Sequence, residues 1–160
     1  MNSSKGFTLI ELMVVVSIIG TLAAIAIPNY MPYLIRAQIA EGLMLAEDIK
    51  STVQTFYKER GSFPIDNQMA GVPAPNKLLG NYVKGMTVAN GAIHIQYGHD
   101  VHTSVANKTL TLRPQVVIDS PLSPMSWSCG HHQPPPGMRA IGDDRTDLPN
   151  ELLPHACRRR

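Results

Sequence analysis

Charge is scarce in this 160-residue chain. Asp, Glu, Lys and Arg make up 16% of it and the formal net charge is +2, which leaves no nucleic-acid footprint at the level of bulk charge. Reactive constellations are missing as well. No serine stands in a nucleophile-elbow pattern, no glycine-rich loop suits a phosphate, and neither cysteine sits in a context that would activate its thiolate. His99 and His102, on either side of Asp100, read as titratable residues of a surface loop, and Asp143-Asp144 beside Arg145 reads as a solvated turn. The expectation is a protein that is not an enzyme, with no catalytic residue, no metal and no cofactor.

Cysteine is nearly absent too. The two present, Cys129 and Cys157, lie in the last quarter among Pro, Gly and polar residues. In an exported protein they would oxidise to a bridge, whose loop closure contributes roughly 3 to 4 kcal/mol in the chain-entropy model. In a cytosolic protein they would stay reduced. His131, His132 and His155 lie nearby, but the spacing fits no common zinc pattern. At this length there is room for one compact domain and one long extension.

What the chain does have is a long apolar run with one misplaced charge. Between residues 7 and 27 only Glu11 is ionisable, and Pro28 interrupts the run. As a helix the stretch is roughly 30 Å long, which matches a bilayer core. A carboxylate near the centre of a hydrocarbon layer costs about 2.5 to 3.5 kcal/mol by insertion scales. An ordinary signal peptide, cut after Ala24-Ile25-Ala26, leaves Glu11 unexplained, and so does a plain single-span anchor. Something must later neutralise the charge, which points to a segment that waits in a membrane and then moves into a protein assembly.

The string Lys5-Gly6-Phe7-Thr8-Leu9-Ile10-Glu11-Leu12-Met13 resembles the processing signal of type IV prepilins. That resemblance implies cleavage between Gly6 and Phe7 by a prepilin peptidase, removal of residues 1–6 as a leader, and N-methylation of Phe7. Glu11 then stands at the family's assembly position. After cleavage Phe7 carries a free α-ammonium, so Glu11 of one subunit can pair with the Phe7 ammonium of a neighbour. In low dielectric such a pair is directional, and either partner alone is penalised.

Beyond Pro28, the positions Ile35, Ile39, Gly42, Ala46, Ile49, Val53 and Phe56 alternate spacings of four and three and predict an amphipathic helix. Gly61 ends it and Pro64 prevents its return. One helix from Phe7 to about Lys58 would be on the order of 75 Å long, too long for the core of a small domain, with Pro28, Pro32 and Gly42 as weak points. For Gly42, close helix packing is an equal alternative.

Residues 61–81 read as a long surface connection with a short turn of helix near Lys77 to Leu79. Strands are predicted over residues 82–88 and 92–97 around an Asn90-Gly91 hairpin turn, over residues 109–113 with Pro114 at the end, and over residues 125–129. Ile93, Ile95 and Tyr97 should face the helix, and His94 and Gln96 the other side. The expected fold is α+β: a long protruding N-terminal helix (residues 7–60, of which 7–27 form the transmembrane and filament-core part) packed against a small antiparallel sheet in a head of residues 61–160. This too resembles the pilin fold, which implies a Cys129–Cys157 disulfide closing the C-terminal loop 129–157.

The resemblance further implies a structural subunit of a type IV pilus, held in the inner membrane and then assembled into an extracellular filament for adhesion, twitching motility or DNA uptake. Its implied partners are other copies of itself, the prepilin peptidase, the inner-membrane assembly platform and the inner membrane. A basic patch of Arg158, Arg159 and Arg160 with Lys108 and Arg113 would add DNA, bound through phosphates. The alternatives are a minor pilin at the tip and a pseudopilin of a type II secretion system. Asn107-Lys108-Thr109 fits a glycosylation acceptor, weakly.

Overall fold

The computed structural model describes residues 6–26, 30–120 and 122–159. The chain divides into two units, Met1–Leu34 and Ile35–Arg160. The single helix expected from Phe7 to Lys58 is described as two, α1 (Leu9–Ala26) and α2 (Met31–Arg60), with Pro28 outside the described residues. Pro32 occupies the first turn of α2, where its missing N–H costs no intrahelical bond.

Helix α2 buries Ile35, Ile39, Gly42, Ala46, Ile49, Val53 and Tyr57. The expected stripe thus holds except at its end, where Tyr57 replaces Phe56. The step of four from Val53 continues the buried face, and Tyr57 stacks on Phe63 with centroids 4.2 Å apart. Phe56 instead lies under the Arg60 guanidinium, 5.0 Å from its ring. Gly42 is a packing residue and not a weak point: a Cβ there would lie 2.6 Å from Tyr97 Oη and 2.9 Å from Ile95 Cγ2. That approach lets the buried Tyr97 hydroxyl donate to the Ile39 carbonyl at 2.8 Å.

Gly61, at φ 67°, ends α2 as expected and donates its N–H to Tyr57 O. The connection that follows holds an unforeseen short helix, α3 (Asn67–Ala70), whose N-cap Asp66 accepts from Met69 N at 2.7 Å. The expected turn near Lys77 is a single 3₁₀ turn, Pro75–Lys77. Buried Asn67 pins this connection to the sheet edge. Its side chain donates to Pro73 O and Met86 O and accepts from Val88 N.

The sheet is antiparallel, in the order β1 (Val83–Ala89), β2 (Ala92–Tyr97), β3 (Thr109–Val117), β4 (Ser126–Cys129), with β5 (Met138–Ala140) also paired to β3. Asn90 and Gly91 both take positive φ, 49° and 82°, the geometry of the tight hairpin their sequence predicted. Strand β3 runs through Pro114 and does not stop at it. Pro114 lies after the last β2 partner, Leu112, and before the first β5 partner, Gln115, so on that edge no neighbour needs its absent N–H.

Ile93, Ile95 and Tyr97 are fully buried, as expected, and Gln96 is exposed. His94 is not on an open face. It is 5% exposed because the chain after β5 recrosses the sheet, where Arg145 N donates to Thr111 Oγ1 and Thr111 N to Thr146 Oγ1. A disulfide joins Cys129 to Cys157 and closes that C-terminal region.

Candidate functional site

The first turn of α1 is built by its own sequence. Glu11 Oε2 accepts from Thr8 N at 2.9 Å and from Thr8 Oγ1 at 2.6 Å, while Glu11 N lies 3.4 Å from Thr8 Oγ1. This is a capping box, in which a Thr and a Glu three residues later satisfy each other's backbone donors. The Thr8-x-x-Glu11 spacing is itself a sequence signature of this cap, here embedded at the start of an apolar run. Both bonds end on one oxygen, Oε2. Among the described residues Oε1 has no hydrogen-bond partner.

Phe7, Ile10, Glu11, Val14 and Val15 line one shallow groove at this end. Helix α1 buries none of its residues and is long and apolar enough to cross a membrane. Its exposed side chains include Leu12, Val14, Val16, Ile18, Ile19, Leu22 and Ile25. A helix apolar all round favours an apolar environment, in which the single carboxylate at its start would be costly unless partnered.

The other expected residues fall in the compact unit. Cys129 leaves β4 and Cys157 sits in the 3₁₀ turn His155–Cys157, buried at 1%. The basic residues are engaged separately: Arg113 Nη2 lies 4.0 Å from Asp144, Lys108 Nζ 3.5 Å from Asp147 O, and Arg158 donates to Leu153 O. Asp144 is more than a solvated turn, since it also meets His131 Nδ1 at 3.2 Å and accepts from Thr146 N. His102 faces Ser104 Oγ at 2.8 Å. No group of three side chains suited to a metal ion occurs among the described residues.

Burial holds the His94 imidazole below the usual histidine range, with Arg145 adding to the effect and Asp143 and Asp144 opposing it. The Tyr97 phenol is pushed upward, mainly by burial. Both groups lie in the packed interior of the head, His94 5% exposed and Tyr97 fully buried.

Comparison with known proteins agrees with this geometry at both ends of the chain. A family model described as pilin (bacterial filament) matches residues 35–158, and a prokaryotic N-terminal methylation motif matches residues 1–27. The chain is 40% identical to the type IV major pilin protein PilE1 of Neisseria gonorrhoeae, over 96% of this chain and 73% of that protein. It is 37% identical to a fimbrial protein of Neisseria meningitidis serogroup B, over 96% and 94% of the two chains. With the fimbrial protein EcpC of Eikenella corrodens the identity is 41%, over 78% of this chain and 81% of the other.

Proposed function

We infer how the chain is processed and assembled from one premise: it belongs to the pilin family of bacterial filament proteins, as a structural subunit of a type IV pilus. In our reading a prepilin peptidase cuts between Gly6 and Phe7, residues 1–6 are lost, and the new Phe7 amino group is methylated. The subunit waits in the inner membrane on the apolar helix α1. It then meets the assembly platform and joins other copies of itself in an extracellular filament, with no catalysis of its own. The head, closed by the Cys129–Cys157 disulfide, forms the outer part. DNA is a further partner to be sought at low salt, although Arg113 is already matched by Asp144.

The observation that carries this reading is the aim of the Glu11 carboxylate. Thr8 holds Oε2 inside the subunit and leaves Oε1 for a neighbour. In the membrane the capping bonds offset part of the cost of the buried charge. In the filament Oε1 takes the Phe7 ammonium of the next subunit, a cation that exists at that place only after cleavage. The charge is therefore both a helix cap and a register mark. Leu12 to Ala26 supply the apolar surface first to lipid and then to neighbouring helices.

Intact-mass and N-terminal analysis of the mature protein tests the processing. The expected product begins at Phe7 and carries the added mass of one methyl group. A product beginning after Ala26, or one that retains residues 1–6, would contradict it.

A further inference from the structure

Two arginines from distant parts of the chain converge on one backbone oxygen. Arg36 Nη2, from the second turn of α2, donates to Glu151 O at 3.0 Å, and Arg158 Nη2 reaches the same oxygen at 3.3 Å. A single carbonyl has two lone pairs but no net charge, so two cations share one neutral acceptor. Neither guanidinium has a carboxylate within 4.0 Å among the described residues. Arg36 Nε is shielded from solvent and has no hydrogen-bond partner there either. Arg158 is fixed independently, by its Nε bond to Leu153 O at 2.9 Å and by its place one residue after the disulfide. Two fixed, half-buried guanidinium groups lacking an anion are a site prepared for one, and the planar forks suit a phosphate.

The chain's connectivity says which phosphate. Arg36 lies ten steps along the chain from the end of the apolar helix α1, and the last five of those steps, Met31 to Arg36, run within α2. Extended chain spans at most about 3.6 Å per residue and helix 1.5 Å, so Arg36 is tethered within about 26 Å of that end in any arrangement. Between the two, Tyr30 and Tyr33 are 60% and 68% exposed with ring centroids 6.2 Å apart. Exposed tyrosines just past a membrane-length helix mark the headgroup level, and Arg36 follows Tyr33 by one helical turn. We propose that Arg36 and Arg158 form a docking site for the phosphate of an anionic phospholipid headgroup, which seats the base of the head on the membrane before assembly. The proposal rests on the membrane-held stage inferred above.

The test reconstitutes the full-length chain into nanodiscs of phosphatidylcholine alone or with phosphatidylglycerol, and counts retained lipids by native mass spectrometry. One arginine near an anionic surface is worth about a fivefold change in retention. The wild type should therefore hold phosphatidylglycerol over phosphatidylcholine, with the preference reduced about fivefold in Arg36→Gln and in Arg158→Gln and unchanged in Lys77→Gln. Added inorganic phosphate should not displace the lipid. Arg158→Gln also loses the bond to Leu153 O, so Arg36→Gln, anchored by Ile35 and Ile39 in the core, is the deciding variant; disulfide formation is checked in both.

Equal retention of the two lipids, or retention unchanged in Arg36→Gln, overturns the proposal while leaving membrane insertion intact. Displacement by inorganic phosphate overturns the lipid as the source. Unchanged retention with lost filaments would assign the arginines to a carboxylate of a second copy. Failure of the wild type to enter the discs at all would contradict the membrane stage itself and remove the proposal with it.

Discussion

Gly42 sits where α2 passes over the sheet, and no side chain larger than hydrogen fits between it and Tyr97. Gly42→Ala should lower stability by about 1 to 3 kcal/mol, the usual range for overpacking a core. Equilibrium denaturant unfolding of the detergent-solubilised chain measures it, and an unchanged midpoint would contradict the close approach. His94 gives a second residue-scale prediction. Its folded pKa is depressed by burial, so the stability it contributes is fully present above the unfolded value near 6.5. That stability is lost as pH falls from there toward the folded pKa, because the unfolded chain takes up the proton first. Thermal unfolding followed from pH 7 downward should show this slope in the wild type, and His94→Gln should flatten it. An equal slope in both proteins would count against a buried, neutral imidazole.

At the scale of elements, the C-terminal region is short of regular structure. Its strands β4 and β5 have four and three residues, and the Cys129–Cys157 bridge encloses a separation of 28 residues. Replacing both cysteines by serine should cost roughly 3 to 4 kcal/mol by the chain-entropy account. A midpoint shift much smaller than that would mean that Leu148 and Leu153 in the core hold the segment alone. The hairpin at Asn90-Gly91 was legible because both residues tolerate positive φ and flank alternating runs. The buried face of α2 was legible through its spacing of three and four.

Strand β5 was not legible, since three residues amid Pro and Gly carry no period of their own and pair only because β3 offers an edge. Pro114 misled for a related reason. It ends a strand only if its N–H is needed, and which edge it faces is settled by tertiary structure. The alternation of β2 alone cannot show that the His94 face is closed, because the covering segment, residues 141–147, lies close in space but some fifty residues away in sequence. At the functional end, Glu11 stood out by its charge, whereas its partner Thr8 was hidden in plain view as the first residue of a capping box.

For the whole molecule, the two units divide the labour. The compact unit from Ile35 onward carries the disulfide, the sheet and a long helix whose inner face is fully used. The N-terminal unit carries an apolar helix with no buried residue of its own and one aimed carboxylate. That asymmetry suits the proposed filament subunit, in which the helix would become core only when copies assemble. Assembly in this reading turns on the proposed ion pair between Glu11 and a neighbour's Phe7 ammonium. Its most direct test is filament yield from cells expressing Glu11→Ala, with processing and membrane retention of the variant measured in parallel. The expected variant is cut after Gly6 and held in the membrane, with filaments reduced to a small fraction of wild type. Wild-type filament yield from the processed variant would contradict the pairing.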